Sequence, residues 1–355
     1  STYGGKQQRG KQGDTARGSK GQPGSHPGDR TKAGDVPERS GLRERGPELE
    51  AQRRPDDQFT PIPGQPRTFR IGDERLEARP LPGIELAGAD WLRAQGRPFE
   101  TAASMPAYDI KLAERIAQAY EAMAHDPSNP QAVRNYEALM EETLGQFQAL
   151  RRRGFEFEFT PPGTHPYPDN PARGYEDMAR NRRLQVFPTV EGFGAGGIDR
   201  VTPDMIRDNP LLADSGERFG NRPATHNDVF RAVHDAFGHH GPGNPFFREA
   251  GEARAYLHHG LMYGPEARAA AANELRGQNS WVNRGPHGDA NRNASAGDTV
   301  FAEQKIGVLP DFVANEGMAP RRSREADREL LERIYEENPT PGLIVEGLPR
   351  LPRDD

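Results

Sequence analysis

Cysteine does not occur anywhere in the 355 residues. Disulfides, thiolate metal sites and cysteine nucleophiles are therefore excluded, and redox chemistry says nothing about compartment. Long apolar runs are missing too. No stretch approaches the roughly 18 apolar residues of a membrane span, and the hydrophilic start carries no apolar core of the signal-peptide type. The expectation is a protein without membrane contact, cytoplasmic or virion-associated. No internal repeat is visible.

Residues 1–57 are poor in large apolar side chains and rich in Gly, Pro, Gln, Ser and charge. Such a segment cannot bury enough surface to offset chain entropy, and a disordered tail is expected. Its first 34 residues hold seven basic side chains (Lys6, Arg9, Lys11, Arg17, Lys20, Arg30, Lys32) against Asp14 and Asp29. That local balance of +5 sits on a chain of net charge −6, leaving about −11 for the remainder. A basic arm on an acidic body suits neighbouring subunits, an acidic surface or nucleic acid. With no interleaved aromatics for stacking, nucleic-acid contact would be electrostatic and salt-sensitive.

Residues 58–104 are proline-rich with scattered apolar side chains, and are expected to form an extended arm. Residues 105–345 carry the regular structure, and 346–355 form a C-terminal tail. The fold class expected is mainly α: an irregular helical domain with a few short strands behind a long disordered or extended N-terminal arm. Apolar spacing predicts helices over 108–124 and 130–152, joined by Asp126-Pro127-Ser128-Asn129-Pro130 into an antiparallel hairpin. Phe155-Glu156-Phe157-Glu158-Phe159 alternates as a short strand, and a helix is expected around 172–183. The glycine stretch 191–197 lacks the lysine of a phosphate loop and is expected to be a flexible loop. Further helices are expected from Asn227 or Asp228 as cap, over 245–262 and 265–281, and over 324–336.

What is abundant is histidine in one place. Six of the ten histidines (His226, His234, His239, His240, His258, His259) lie between positions 226 and 259. Clustered imidazoles suit metal binding or acid–base chemistry. Within His234-Asp235-Ala236-Phe237-Gly238-His239, two imidazoles with one downstream carboxylate would form the ligand set that holds Fe(II) while leaving coordination positions open. On an ideal helix His234 and His239 lie about 140° apart. Both can reach one ion only if the helix ends or distorts, and Gly238 permits that. For the carboxylate, Glu274 is the first candidate and Glu252 its competitor. Glu252, Tyr256, His259 and Tyr263 share one helical face that would orient the ligands, with Asp235 in the same supporting role. Asp235, Glu252 and His259 are thus the candidate catalytic side chains beside the metal. The metal is expected to be Fe(II), although another divalent ion has the same ligand requirements.

The stretch HDAFGHHGPGNPFFREAG resembles the iron-binding segment of the aromatic amino acid hydroxylases. That family carries a His-Asp/Glu-x-x-Gly-His motif, an Asn-Pro-x-Phe-like turn and a glutamate ligand on a later helix. The resemblance implies His234, His239 and Glu274 as iron ligands. It covers about 50 residues, and the intervals to Asn244-Pro245 and to Glu274 are slightly shorter than in the family. It also suggests Arg218 or Arg222 for the substrate carboxylate. Trp281 and Phe193 are further substrate-binding candidates, and no pterin-binding segment is recognisable. A second stretch, ELRGQNSWVNRGPHG, resembles uncharacterised domains in polyproteins of bacteriophages and mobile elements.

Three functions follow as expectations. The first is a mononuclear non-haem iron oxygenase acting on a small molecule or peptide. The second is a metal-dependent phosphohydrolase of the helical HD type, which needs Asp235 as a ligand and a metal-activated water. The third is a bacteriophage virion protein whose arm threads across neighbours.

Overall fold

The computed structural model describes residues 67–71, 74–167, 172–192, 200–244, 249–294 and 298–337. The expected tails at 1–57 and 346–355 and the candidate Phe193 lie outside them. Among the described residues the fold is mainly helical, with four two-stranded sheets. The helices are α1 (Pro82–Ala94), α2 (Ile110–Ala122), α3 (Pro130–Arg152), α4 (Ala172–Asn181), α5 (Pro203–Asp208), α6 (His226–His234), α7 (Glu249–His259), α8 (Pro265–Ala272), α9 (Gln278–Arg284), α10 (Gly288–Asn291), α11 (Asp311–Asn315) and α12 (Arg328–Glu337). Antiparallel pairs form between β1 (Arg67–Ile71) and β2 (Glu74–Ala78), β3 (Glu100–Ala102) and β8 (Arg321–Ser323), and β6 (Asp214–Phe219) and β7 (Arg222–Thr225). The strand expected at 155–159 forms as β4 (Glu156–Phe159), parallel to β5 (Arg183–Val186).

The longest helix, α3, has the limits its sequence suggests. Asn129 caps it by accepting from the backbone N–H groups of Gln131 at 2.9 Å and Ala132 at 3.2 Å, and Pro130 occupies the first turn, where no N–H is required. The hairpin with α2 does not form. Instead α3 packs against α1, α6 and α8, while α2 packs against α9. The apolar stripes of α2 and α3 each find a larger complementary surface elsewhere in the chain than in one another.

The extended arm expected over 58–104 is also corrected. Residues 82–94 form α1, a core helix that buries Ile84, Leu86, Ala87, Trp91 and Leu92. Its proline lies in the first turn and not in its interior, so the proline-rich composition conceals a helix start. A Cβ on Gly145 of α3 would stand 2.2 Å from the Trp91 ring, so that glycine is what lets α1 lie close against α3. The Trp91 indole N–H donates to the Met262 carbonyl at 3.2 Å, satisfying the polar atom that this burial would otherwise strand.

The expected helix over 265–281 is interrupted. Between α8 and α9 the backbone widens into a π turn at Asn273–Gly277. A similar π turn, Asp235–His240, continues α6.

Candidate metal centre

Helix α6 begins at a reciprocal cap. The Thr225 hydroxyl accepts from the Asp228 N–H, and the Asp228 carboxylate accepts from the Thr225 N–H and hydroxyl and from Thr189. Neither Asn227 nor Asp228 is the cap residue: Asp228 is the acidic partner three positions on. This cap, buried with Val229, Ala232 and Val233, fixes the direction in which α6 delivers His234 at its last turn.

The π turn then solves the angular problem posed by a spacing of five. An ordinary helix would point His239 away from His234, whereas i→i+5 hydrogen bonding brings residues five apart towards a common face. The Gly241 N–H bonds to the Ala236 carbonyl at 2.6 Å in this pattern. The two rings lie edge-on with centroids 5.1 Å apart. Gly238 contributes by its missing side chain: a Cβ there would stand 3.0 Å from the Ala255 carbonyl oxygen and 3.0 Å from His234 Cε1. Helix α7 can therefore cross the π turn closely enough to present Glu252.

His234, His239 and Glu252 converge, with one donor atom from each within 4.8 Å of the others. Glu252 Oε2 lies 3.3 Å from His239 Nε2 and 3.8 Å from His234 Nε2. Two donors each about 2.1 Å from a divalent ion stand about 3.0 Å apart at 90° and about 3.6 Å apart at 120°, so the group is close to the size an ion requires. All three are buried, at 1%, 0% and 6% exposure. His234 Nε2 and Glu252 Oε1 have no hydrogen-bond partner among the described residues. Buried polar atoms are costly to leave unsatisfied, and an ion between them would satisfy both. The donor set therefore fits a metal ion.

Electrostatics agree with the geometry. Burial lowers the affinity of His234 for a proton, favouring the neutral ring that a ligand must be. Burial alone would raise Glu252, but the adjacent His239 foremost outweighs it and holds the group as a carboxylate. His240 is pushed down to about 3 by burial, with Asp235 opposing the shift.

Glu274 does not join the group. It lies on the second π turn and accepts from the Tyr136 hydroxyl, from Gln278 at 3.1 Å and from Gln304 at 2.9 Å. Burial pushes it up to about 7 against these bonds, which favour the carboxylate. The choice between the two carboxylates falls on Glu252, because α7 crosses the histidine-bearing turn and sets that carboxylate 3.3 Å from His239, whereas Glu274 is held by Tyr136, Gln278 and Gln304.

The remaining candidates separate. His259 touches His234, Nδ1 to Nδ1 at 3.2 Å, and Asp235 is buried at the head of the π turn. Arg218 is exposed and bonds to the Asn221 carbonyl across its own hairpin. Arg222 pairs with Glu191 at 3.2 Å and covers the Phe159 ring. The Trp281 indole donates to Glu121 and its ring lies beside His287. Among the described residues none of these three side chains bonds to or stacks on His234 or His239.

One residue of the site escapes the sequence reading. Gln146 on α3 accepts from His259 Nε2 at 2.8 Å and is fully buried. Asn135, Thr143 and Gln146 interrupt the buried stripe of Tyr136, Leu139, Phe147 and Leu150, and polar residues at buried helical positions are the signal that marks it.

No family model, curated protein or solved structure matches this chain.

Proposed function

We propose that the protein is a mononuclear non-haem Fe(II) enzyme of the oxygenase type, with His234, His239 and Glu252 as its ligands and a small molecule or peptide as substrate. The observation that carries this reading is the convergence of two imidazoles and one carboxylate with two buried donor atoms still unsatisfied. An Fe(II) ion held by such a set would supply open coordination positions for dioxygen and substrate. The protein's own residues supply the rest: α6 and α7 set the ligand directions, burial keeps His234 neutral, and the surrounding apolar side chains exclude water. The HD-type phosphohydrolase reading is disfavoured because its chemistry needs Asp235 as a ligand, and Asp235 is not among the three converging groups.

Anaerobic Fe(II) titration tests the proposal. One ion per chain is expected, with binding abolished in His234→Ala, His239→Ala and Glu252→Ala and retained in Glu274→Ala and Asp235→Asn. Undiminished binding after both histidine changes would end the proposal.

The depth of the site favours one second reading, a structural ion that ties the π turn to α7 without turnover. His239 has no exposed surface, and its ligand partners have almost none. Metal-loaded protein with raised thermal stability and no oxygen uptake across a panel of amino acid and peptide substrates would select it.

A further inference from the structure

Behind the ligands, a chain of hydrogen bonds runs from α3 through α7 to α6. The Gln146 side-chain oxygen is a carbonyl and can only accept, so at 2.8 Å His259 Nε2 carries the proton and donates it. The His259 ring is fully buried among Tyr263, Phe237 and Phe230, with ring centroids 4.6, 6.1 and 6.4 Å away. Such surroundings disfavour a charged imidazole, and a neutral ring protonated at Nε2 keeps a lone pair on Nδ1. That lone pair faces His234 Nδ1 at 3.2 Å. One of the two nitrogens must bear the shared proton, and His259 Nδ1 does not. The proton therefore sits on His234 Nδ1. A neutral His234 then has a bare Nε2, and this is the atom 3.8 Å from Glu252 that has no hydrogen-bond partner.

We propose that Gln146 and His259 are positioning residues of the metal centre, acting as a relay that holds His234 in the Nδ1–H tautomer and so turns its Nε2 lone pair towards the ion. The inference rests on the metal reading above and extends it to two residues that touch no ion themselves. Without the relay the proton could occupy Nε2, where it would point at Glu252 and block coordination. The Gln146 amide turned end for end would reverse each proton in the chain, since its N–H would then donate to His259 Nε2. The relay predicts one of these two arrangements and not the other.

Two-bond ¹⁵N–¹H spectra of the imidazoles in the metal-free full chain read the arrangement directly. The expected result is His234 protonated at Nδ1 and His259 at Nε2; the reverse pair overturns the proposal. Affinity for Fe(II), measured anaerobically against a competing chelator, gives the second readout. Gln146→Leu removes the acceptor and should weaken binding about 10–100-fold, as loss of a partner behind a ligand commonly does. Gln146→Glu, as the carboxylate, accepts from His259 and should restore affinity to within about threefold of the parent, on the same acceptor logic. Equal weakening in both variants, or no weakening in Gln146→Leu, overturns the relay while leaving iron binding intact. Should Gln146→Leu not fold, the tautomer spectrum of the parent still decides. Failure of the parent itself to bind Fe(II) would overturn the metal reading, and with it the role given to these residues, whichever tautomer is found.

Discussion

Glu252 and Glu274 show how two carboxylates of one chain acquire different chemistry from their neighbours alone. Glu252 faces two imidazoles and stays ionised, whereas Glu274 faces a tyrosine and two amides, with no cation among its hydrogen-bond partners. A folded-state value of about 7 against an ordinary 4.5 means that the folded protein holds this proton more tightly than the unfolded chain. Its contribution to stability is then fully present below about pH 4.5 and is lost as the pH rises through about 7. The loss amounts to about 3–4 kcal/mol at most, since each tenfold difference in proton affinity between the two states is worth about 1.4 kcal/mol. Glu274→Gln keeps an acceptor for Tyr136, and the amides of Gln278 and Gln304 can turn to meet the new N–H. Urea unfolding in excess chelator should therefore show the variant gaining on the parent between pH 5 and pH 8. Parallel pH profiles for the two proteins would refute the raised proton affinity of Glu274.

At the scale of elements, the π turn and the helix crossing it form one device. Gly238 permits the crossing, with backbone and side-chain atoms of α6 and α7 already at contact distance from where a Cβ would sit. Gly238→Ala forces a backbone carbonyl to move, which overpacked cores resist at about 1–3 kcal/mol. The movement displaces Glu252 from the histidines. The expected outcome is a variant that remains helical by circular dichroism, with a lowered unfolding midpoint and Fe(II) affinity reduced at least about tenfold, in line with the loss of ligand geometry. The same logic applies at Gly145, where alanine would meet the Trp91 ring at 2.2 Å. Gly145→Ala should lower stability by a comparable amount while leaving the spacing of the three ligands unchanged.

For the whole molecule, residues 78–102 are part of the core and not an appendage. The Leu81 N–H donates to the Gly241 carbonyl at 2.7 Å, and the Ile84 side chain sits where a Cβ of Gly241 would stand. The first turn of α1 therefore supports the end of the histidine-bearing turn directly. At the other end of α1, Asp90 accepts from Arg153 at 2.8 Å and from Arg328 at 2.7 Å, while Arg153 also binds Glu332 at 2.7 Å. These partly buried pairs join α1, α3 and α12. A chain begun at residue 105 should lose cooperative unfolding and bind no Fe(II), because it leaves the apolar faces of α3 and α12 uncovered. Sharp thermal unfolding by that truncated chain would show the core description to be wrong. Asp90→Ala should cost about 1–3 kcal/mol, since removing one member leaves two arginines without their shared acceptor.

Local pattern was enough to establish the mainly helical class, the limits of α3 and the concentration of histidines between positions 226 and 259. Each of these depends on neighbours a few residues apart: an asparagine–proline start, a repeat of apolar positions, a run of histidines. The sequence also showed that an ordinary helix could not bring His234 and His239 together, because that is a matter of angle per residue. Which distortion resolves the conflict was decided in three dimensions, where the close crossing of α7 accompanies a π turn. The third candidate ligand was likewise a tertiary outcome. Glu252 and Glu274 are both helical carboxylates downstream of the motif, and only the packing of α7 across the π turn separates them. Gln146 lies 88 positions before His234 in the chain, and the helix that carries it was recognisable while its meeting with His259 was not. Side-chain periodicity reports which face of an element is buried, but not which other face it is buried against.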